Sequence, residues 1–195
     1  MRGNFNGCID NVKVLGHPRS GNHFVAALVN ENFIGWHEYV FLVRDRCHNL
    51  WDTLDADTKF IYVYRDVNDV LNSVYGLRGR FGLDVHDFGK FVSTRYCDMF
   101  SEDVRARVCC NYITSKMTVT EKSREFKAVE YRPPQWHRIH LLHYRKLSEI
   151  YDNLLMISYE SFMKNFQGAM TTIGGFLGST RRKFNPIREK VGWYV

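Results

Sequence analysis

Lys59 to Tyr64 reads KFIYVY. Five of these six residues are apolar or aromatic and they do not alternate with polar ones, so the segment is hydrophobic on both faces. A strand of that kind must lie inside a sheet covered on both sides, as the central strand of a parallel α/β sheet does. The chain around it repeats the theme. Asn11 to Gly16 (NVKVLG), Tyr39 to Val43 and Asn153 to Ser158 (NLLMIS) read as further strands. Helical spacing follows at Asn22–Asn32 and at Val67–Tyr75, the latter through Val70, Leu71 and Val74. His86–Phe100, Trp136–Tyr151 and Phe166–Leu177 read as additional helices, with Gly178 placed to end the last one. Strands alternating with helices predict an α/β fold in three layers, a mostly parallel central sheet flanked by helices.

Length fits that fold. A chain of 195 residues with 45% apolar and 15% aromatic residues can bury one sizeable core. No Pro/Gly/Ser-rich linker, repeat or low-complexity tract divides it, so residues 1–195 read as a single domain. The least regular part, around 104–135, is expected to be an excursion from the core. No apolar run approaches bilayer-spanning length, and Met1 to Leu15 lacks a signal-peptide core, so no membrane partner is expected. The five cysteines, Cys8, Cys47, Cys97, Cys109 and Cys110, are odd in number and show no CxxC spacing. That usage fits a reducing compartment and a cytoplasmic location better than a disulfide framework or a zinc site.

Net charge is +6, but it is unevenly placed. Val104 to Lys146 holds ten Lys or Arg against three acids, a local balance of +7, while 17 basic and 18 acidic residues elsewhere leave −1. One stretch therefore carries the whole excess and can draw in an anionic partner, although a solvated Arg-rich surface has the same composition. Nucleic acid is not expected, because no helix-turn-helix, zinc-finger or aromatic-platform signature accompanies the charge.

Chemistry concentrates in two places. Gly16 to His23 reads GHPRSGNH, directly after a strand and before a helix. The spacing from Gly16 to Gly21 matches the start of a P-loop, GxxxxGK[ST], whose turn aims backbone N–H groups and a helix N-terminus at an anion. Asn22 and His23 stand where an NTPase has its lysine and magnesium-binding hydroxyl, and Arg19 supplies positive charge from within the loop. The loop is P-loop-like but unsuited to metal-assisted NTP hydrolysis; its plain alternative is a strand-to-helix turn with a glycine. In the second place, Arg65 comes at the C-terminal end of the strongest strand, where open α/β sheets place ligands. Ser73 follows eight residues later, about two helical turns along. A surface ion pair Arg65–Asp66 and a neutral helix serine are the plain alternatives there.

Together, PRSGN (Pro18 to Asn22) and YVYRDVNDVLNS (Tyr62 to Ser73) resemble the two nucleotide-binding signatures of sulfotransferases, which use 3′-phosphoadenosine 5′-phosphosulfate (PAPS). The resemblance implies that Arg19, Ser20, Gly21, Asn22 and His23 cradle the 5′-phosphosulfate, with Phe24 in place of an adenine-stacking Trp. It gives the 3′-phosphate to Arg65 and Ser73. LLMISYESFMKNFQGAMTTIGGFLG (Leu154 to Gly178) is similar to the family's strand–YED–helix segment, and assigns adenine contact to Tyr159. REKVGWYV (Arg188 to Val195) resembles a shortened form of the family's C-terminal loop, which assigns Arg188, Lys190 and Gly192 to closure over the 3′-phosphate. The implied donor product is 3′-phosphoadenosine 5′-phosphate (PAP). The implied acceptor is a small molecule or glycan hydroxyl, and the +7 stretch suits an anionic one. The chain is short for the family, which leaves room for a partner subunit to complete the acceptor site.

Sulfuryl transfer needs a general base for the acceptor proton, and a histidine titrating near neutrality suits it. By the family's placement His48, in LVRDRCHNLW, is the first candidate and His37, in GWHEY, the second. No metal is required, since Arg19 and the loop N–H groups can stabilise the leaving oxygen electrostatically. His137, His140 and His143 have a spacing that invites a metal, but no carboxylate or cysteine stands at ligand spacing, and a polar helix face lining an acceptor cleft is the expectation. Two alternatives stay open: a degenerate P-loop kinase, and a non-catalytic module of the same fold that binds a nucleotide or polyanion.

Overall fold

The protein's computed structural model describes residues 12–34, 50, 53–79, 82–100 and 131–187. They fall into two compact units, one built from 12–34, 53–65 and 144–187, the other from 50, 66–79, 82–100 and 131–143. The expected strand at Tyr39–Val43 and the excursion through residue 130 lie outside the described residues.

The first unit contains β1 (Val12–Leu15), β2 (Lys59–Tyr64) and β3 (Leu154–Ser158), all parallel in the order β1-β2-β3. Val14 pairs with Ile61, and Ile61 with Leu155. The doubly apolar KFIYVY strand is the middle one, and Phe60, Ile61, Tyr62 and Val63 are all sealed from solvent. Alternation sends Ile61 and Val63 to one face, where they join Val25, Leu28 and Val29 of α1 (Asn22–Val29). Met170 and Ile173 of a later helix complete that layer. Tyr62 faces the other way and stacks on Tyr144, ring centroids 4.3 Å apart. Helices on both faces of a parallel sheet make the α/β sandwich that the pattern predicts.

The helix carrying Met170 is Phe166–Leu177 (α7), preceded by Tyr159–Lys164 (α6). Asn165 caps α7 by accepting from the Gly168 N–H at 3.0 Å. Gly178 ends it in the left-handed conformation (φ 76°), so that the Ser179 N–H reaches the Gly174 carbonyl. At the other end of the unit, α1 runs into a π-helical turn at Asn30–Ile34.

In the second unit, Asp66 caps α2 (Val67–Gly76) by accepting from the N–H groups of Asn68 and Asp69. The single helix expected over His86–Phe100 is instead two, α3 (Phe88–Ser93) and α4 (Tyr96–Met99). Asp87 starts α3 by accepting from the Lys90 N–H, and Ser93 turns its hydroxyl back onto the Lys90 carbonyl. Thr94 and Arg95 are then extended, and Arg95 forks onto Asp98 to open α4. Short polar side chains that bond locally compete with helix continuation, which is why the apolar periodicity misled there. Val70, Leu71, Val74, Phe91 and Met99 form this unit's core. Helix α5 covers Pro133–Ser148, starting three residues earlier than its pattern because proline suits a first helical turn. No helix among the described residues is long and apolar enough to cross a membrane.

Candidate functional site

The turn from β1 into α1 is closed in three ways. The Ser20 N–H donates to the His17 carbonyl (3.1 Å), the Asn22 side-chain amide donates to the Gly16 carbonyl (3.1 Å), and the Val25 N–H donates to the Gly21 carbonyl (3.0 Å). Gly16 has no room for a side chain: a Cβ there would sit 2.3 Å from Asn22 Oδ1 and 2.5 Å from the Val63 carbonyl oxygen. Arg19 is left-handed at φ 70°, and so is Gly21 at φ 97°. Left-handed residues in such a turn aim successive N–H groups into one concavity, an arrangement suited to an anion. The Ser20 hydroxyl is fully buried within the turn and meets no hydrogen-bond partner among the described residues. A buried hydroxyl left in that state is costly unless a ligand completes it.

Two more sequence candidates join this loop at the C-terminal ends of parallel strands, where α/β proteins bind ligands. Arg65 follows β2, and Tyr159 opens α6 directly after β3. The Arg65 guanidinium lies over the Tyr159 ring, 4.9 Å from its centroid. Tyr159 in turn presses on the loop, since a Cβ on Gly21 would fall 2.4 Å from its Cδ2. Phe24 meets Tyr159 edge-on (5.6 Å, 67°) and backs onto Phe162 (5.8 Å, 88°). The loop, Phe24, Arg65 and Tyr159 thus form one contiguous group within the first unit.

Other candidates fare differently. Ser73 is half-buried on α2 in the second unit. His48, His37, Arg188, Lys190 and Gly192 lie outside the described residues. His137 and His140 do not form an open polar face: both are buried, and His140 packs edge-on against Trp136 at 5.8 Å. His143 is half-buried, and no group of residues able to hold a metal occurs among the described residues. A three-residue spacing on one turn of a helix could not reveal that burial.

Three features escaped the sequence reading. His17 is buried in the loop with Nδ1 2.9 Å from the Pro18 carbonyl, which fixes Nδ1 as the donor nitrogen. Asn22, expected among the phosphate contacts, commits an amide hydrogen to the Gly16 carbonyl. Asn32 and Gln167 each pair in both directions with the backbone of the late segment. Asn32 donates to the Asn185 carbonyl (3.0 Å) and accepts from its N–H (2.7 Å), while Gln167 does the same with Phe184 (3.0 and 3.2 Å). The Asn32 carbonyl also receives the Arg181 guanidinium at 2.6 Å.

A family model described as the sulfotransferase domain matches residues 39–191, beginning after the Gly16–His23 loop. No curated protein matches the chain. Among solved structures, the fold is similar to that of mouse sulfotransferase SULT7A1 complexed with PAP. The TM-score is 0.55 at 16% identity, over 92% of this chain and 62% of that one, so this chain spans less than two thirds of its length. Likeness at that identity speaks for the fold.

Proposed function

The chain belongs to the sulfotransferase family, and we propose that it moves a sulfuryl group from PAPS to an acceptor hydroxyl. The observation that carries this reading is the Ser20 hydroxyl, fully buried in a left-handed turn and without a hydrogen-bond partner among the described residues. A phosphate oxygen in the turn would complete it, so the residues present fit the nucleotide. PAPS would supply a sulfuryl group already activated on a phosphate leaving oxygen.

The loop N–H groups, Ser20 and Arg19 hold the 5′ end and offset negative charge that develops on the leaving oxygen. Asn22 keeps the turn in shape from below. By the family's signatures the 3′-phosphate falls to Arg65 and Ser73, the adenine to Phe24 and Tyr159, and the role of the C-terminal loop to Arg188, Lys190 and Gly192. His48 takes the acceptor proton, with His37 as the alternative. Charge-assisted contacts of this kind need no metal ion.

The acceptor is an anionic one, such as an acidic glycan, met by Arg124, Lys127, Arg132 and Arg138 in the +7 stretch. The cysteine usage supports work in the cytoplasm. The test is PAP release from PAPS with acidic glycans and neutral phenols as acceptors, repeated across a salt series. Release that needs an acidic acceptor, with a KM that rises as salt shortens the Debye length from about 30 Å to about 8 Å, is expected. Efficient turnover of apolar phenols alone, indifferent to salt, overturns the acceptor assignment.

A further inference from the structure

We infer that Tyr159 is a positioning residue for Arg65, and that its ring sets how strongly the site prefers a nucleotide carrying a 3′-phosphate. The inference rests on the nucleotide reading above. It adds to Tyr159 a role distinct from contact with the adenine.

The geometry carries it. Arg65 leaves the end of β2 with a long side chain, and its guanidinium sits over the Tyr159 ring at 4.9 Å. Tyr159 is itself held on other sides, by Phe24 edge-on at 5.6 Å and by the loop at Gly21. A ring wedged in this way is a fixed platform. An arginine free to sample its rotamers loses that freedom when it grips a ligand, and one already parked on a platform loses less. Contact with a ring face uses the flat surface of the guanidinium and a phosphate takes its N–H edge, so platform and ligand do not compete for the same atoms. The benefit falls only on ligands that Arg65 touches. Under the nucleotide reading those carry a 3′-phosphate, whereas a 5′-phosphate belongs to the loop.

The position of the ring makes the claim separable from a plain structural role. Removing Tyr159 also loosens the packing on Gly21, and that harm falls on every ligand that uses the loop. PAP and adenosine 5′-phosphate (AMP) share the 5′-phosphate and the adenine and differ in the 3′-phosphate. The ratio of their affinities therefore cancels loop damage and lost adenine contact, and reports the Arg65 contribution.

The experiment is calorimetry of PAP and AMP on the full chain at fixed ionic strength. It compares wild type with Tyr159→Phe, Tyr159→Leu and Arg65→Ala, and with the Arg65→Ala/Tyr159→Leu double variant. Tyr159→Phe keeps a ring face and should hold the PAP-to-AMP ratio within about twofold of wild type. Tyr159→Leu should reduce that ratio by about tenfold, equivalent to about 1.4 kcal/mol. In the Arg65→Ala background the same change should leave the ratio alone. Should the leucine variant fail to fold, Tyr159→Met refills the volume beside Gly21 with a flexible side chain and serves in its place. An equal loss of PAP and AMP affinity in Tyr159→Leu, with the ratio unmoved, overturns the positioning role while leaving the nucleotide reading intact. A wild-type chain that binds PAP no better than AMP overturns the assignment of Arg65, and this inference with it.

Discussion

Replacing Gly21 with alanine should damage the Gly16–His23 loop twice over. The backbone there is left-handed at φ 97°, a region that costs a residue with a Cβ about 1–2 kcal/mol. The new methyl would also fall 2.4 Å from Tyr159 Cδ2 and 2.9 Å from Cε2, far inside the 3.5–4.0 Å at which carbons pack. To make room the ring must move by about 1 Å, weakening its edge contact with Phe24 and its place under Arg65. Those contacts are each worth about 0.5–1.5 kcal/mol. A destabilisation of about 2–4 kcal/mol follows, with PAP affinity falling alongside. Gly175→Ala is the matched control in the same unit. It lies within α7 with nothing near the new Cβ, so relief of glycine's backbone entropy should stabilise the fold by about 0.5–1 kcal/mol. Urea unfolding of both variants, paired with PAP calorimetry, reads the contrast. If Gly21→Ala is as stable as wild type and binds PAP equally well, both the loop conformation and the Tyr159 contact are wrong.

Arg65→Ala should weaken PAP by about 1.5–3 kcal/mol through loss of a charge-assisted contact, while AMP changes little; equal losses in calorimetry would refute the 3′-phosphate assignment. His48→Ala should slow turnover by roughly 10²–10⁴-fold with PAP affinity near wild type, and retained turnover there with loss in His37→Ala would transfer the role of base to His37. Stability should also fall in alkali. Burial, reinforced by Tyr144, holds the Tyr62 phenol well above its ordinary value of about 10, and burial likewise raises Tyr96. Below that value both states keep the proton and Tyr62 is neutral to pH; above it the unfolded chain ionises first, so stability declines as pH rises. Tyr62→Phe retains the stacked ring and should flatten the decline in denaturant midpoint above about pH 10, and an unchanged slope would count against the burial argument.

What the sequence made legible was carried by local pattern. KFIYVY announced a strand covered on both faces, and it lies between two parallel neighbours with Phe60 through Val63 buried. The GxxxxG spacing located a turn between strand and helix, and NLLMIS followed by tyrosine placed Tyr159 at a strand end. What it hid depends on distance along the chain or on burial. Asn32 bonds backbone atoms 153 residues away, and a lone asparagine has no periodicity to flag such a partner. His17 occupies a variable position of the loop motif, so nothing but its burial marks it. The histidines of α5 have the spacing of a polar stripe, yet His137 and His140 turn inward. At Ser93–Thr94 local side-chain bonding overrode an apolar pattern that, by itself, runs on as one helix.

Under the proposed function, the turn from Gly16 to His23 holds the phosphate of a 3′-phosphorylated adenine nucleotide without a metal. Thermal melting of the full chain with PAP, set against ATP plus magnesium, tests it most directly. A ligand present at about 100 times its Kd adds about 2.7 kcal/mol to the folded state. For a protein of this size that corresponds to a rise of about 5–10 °C. Such a rise is expected with PAP in the presence of a chelator, with little response to ATP and magnesium. A larger shift with ATP and magnesium, or none with PAP, would contradict it.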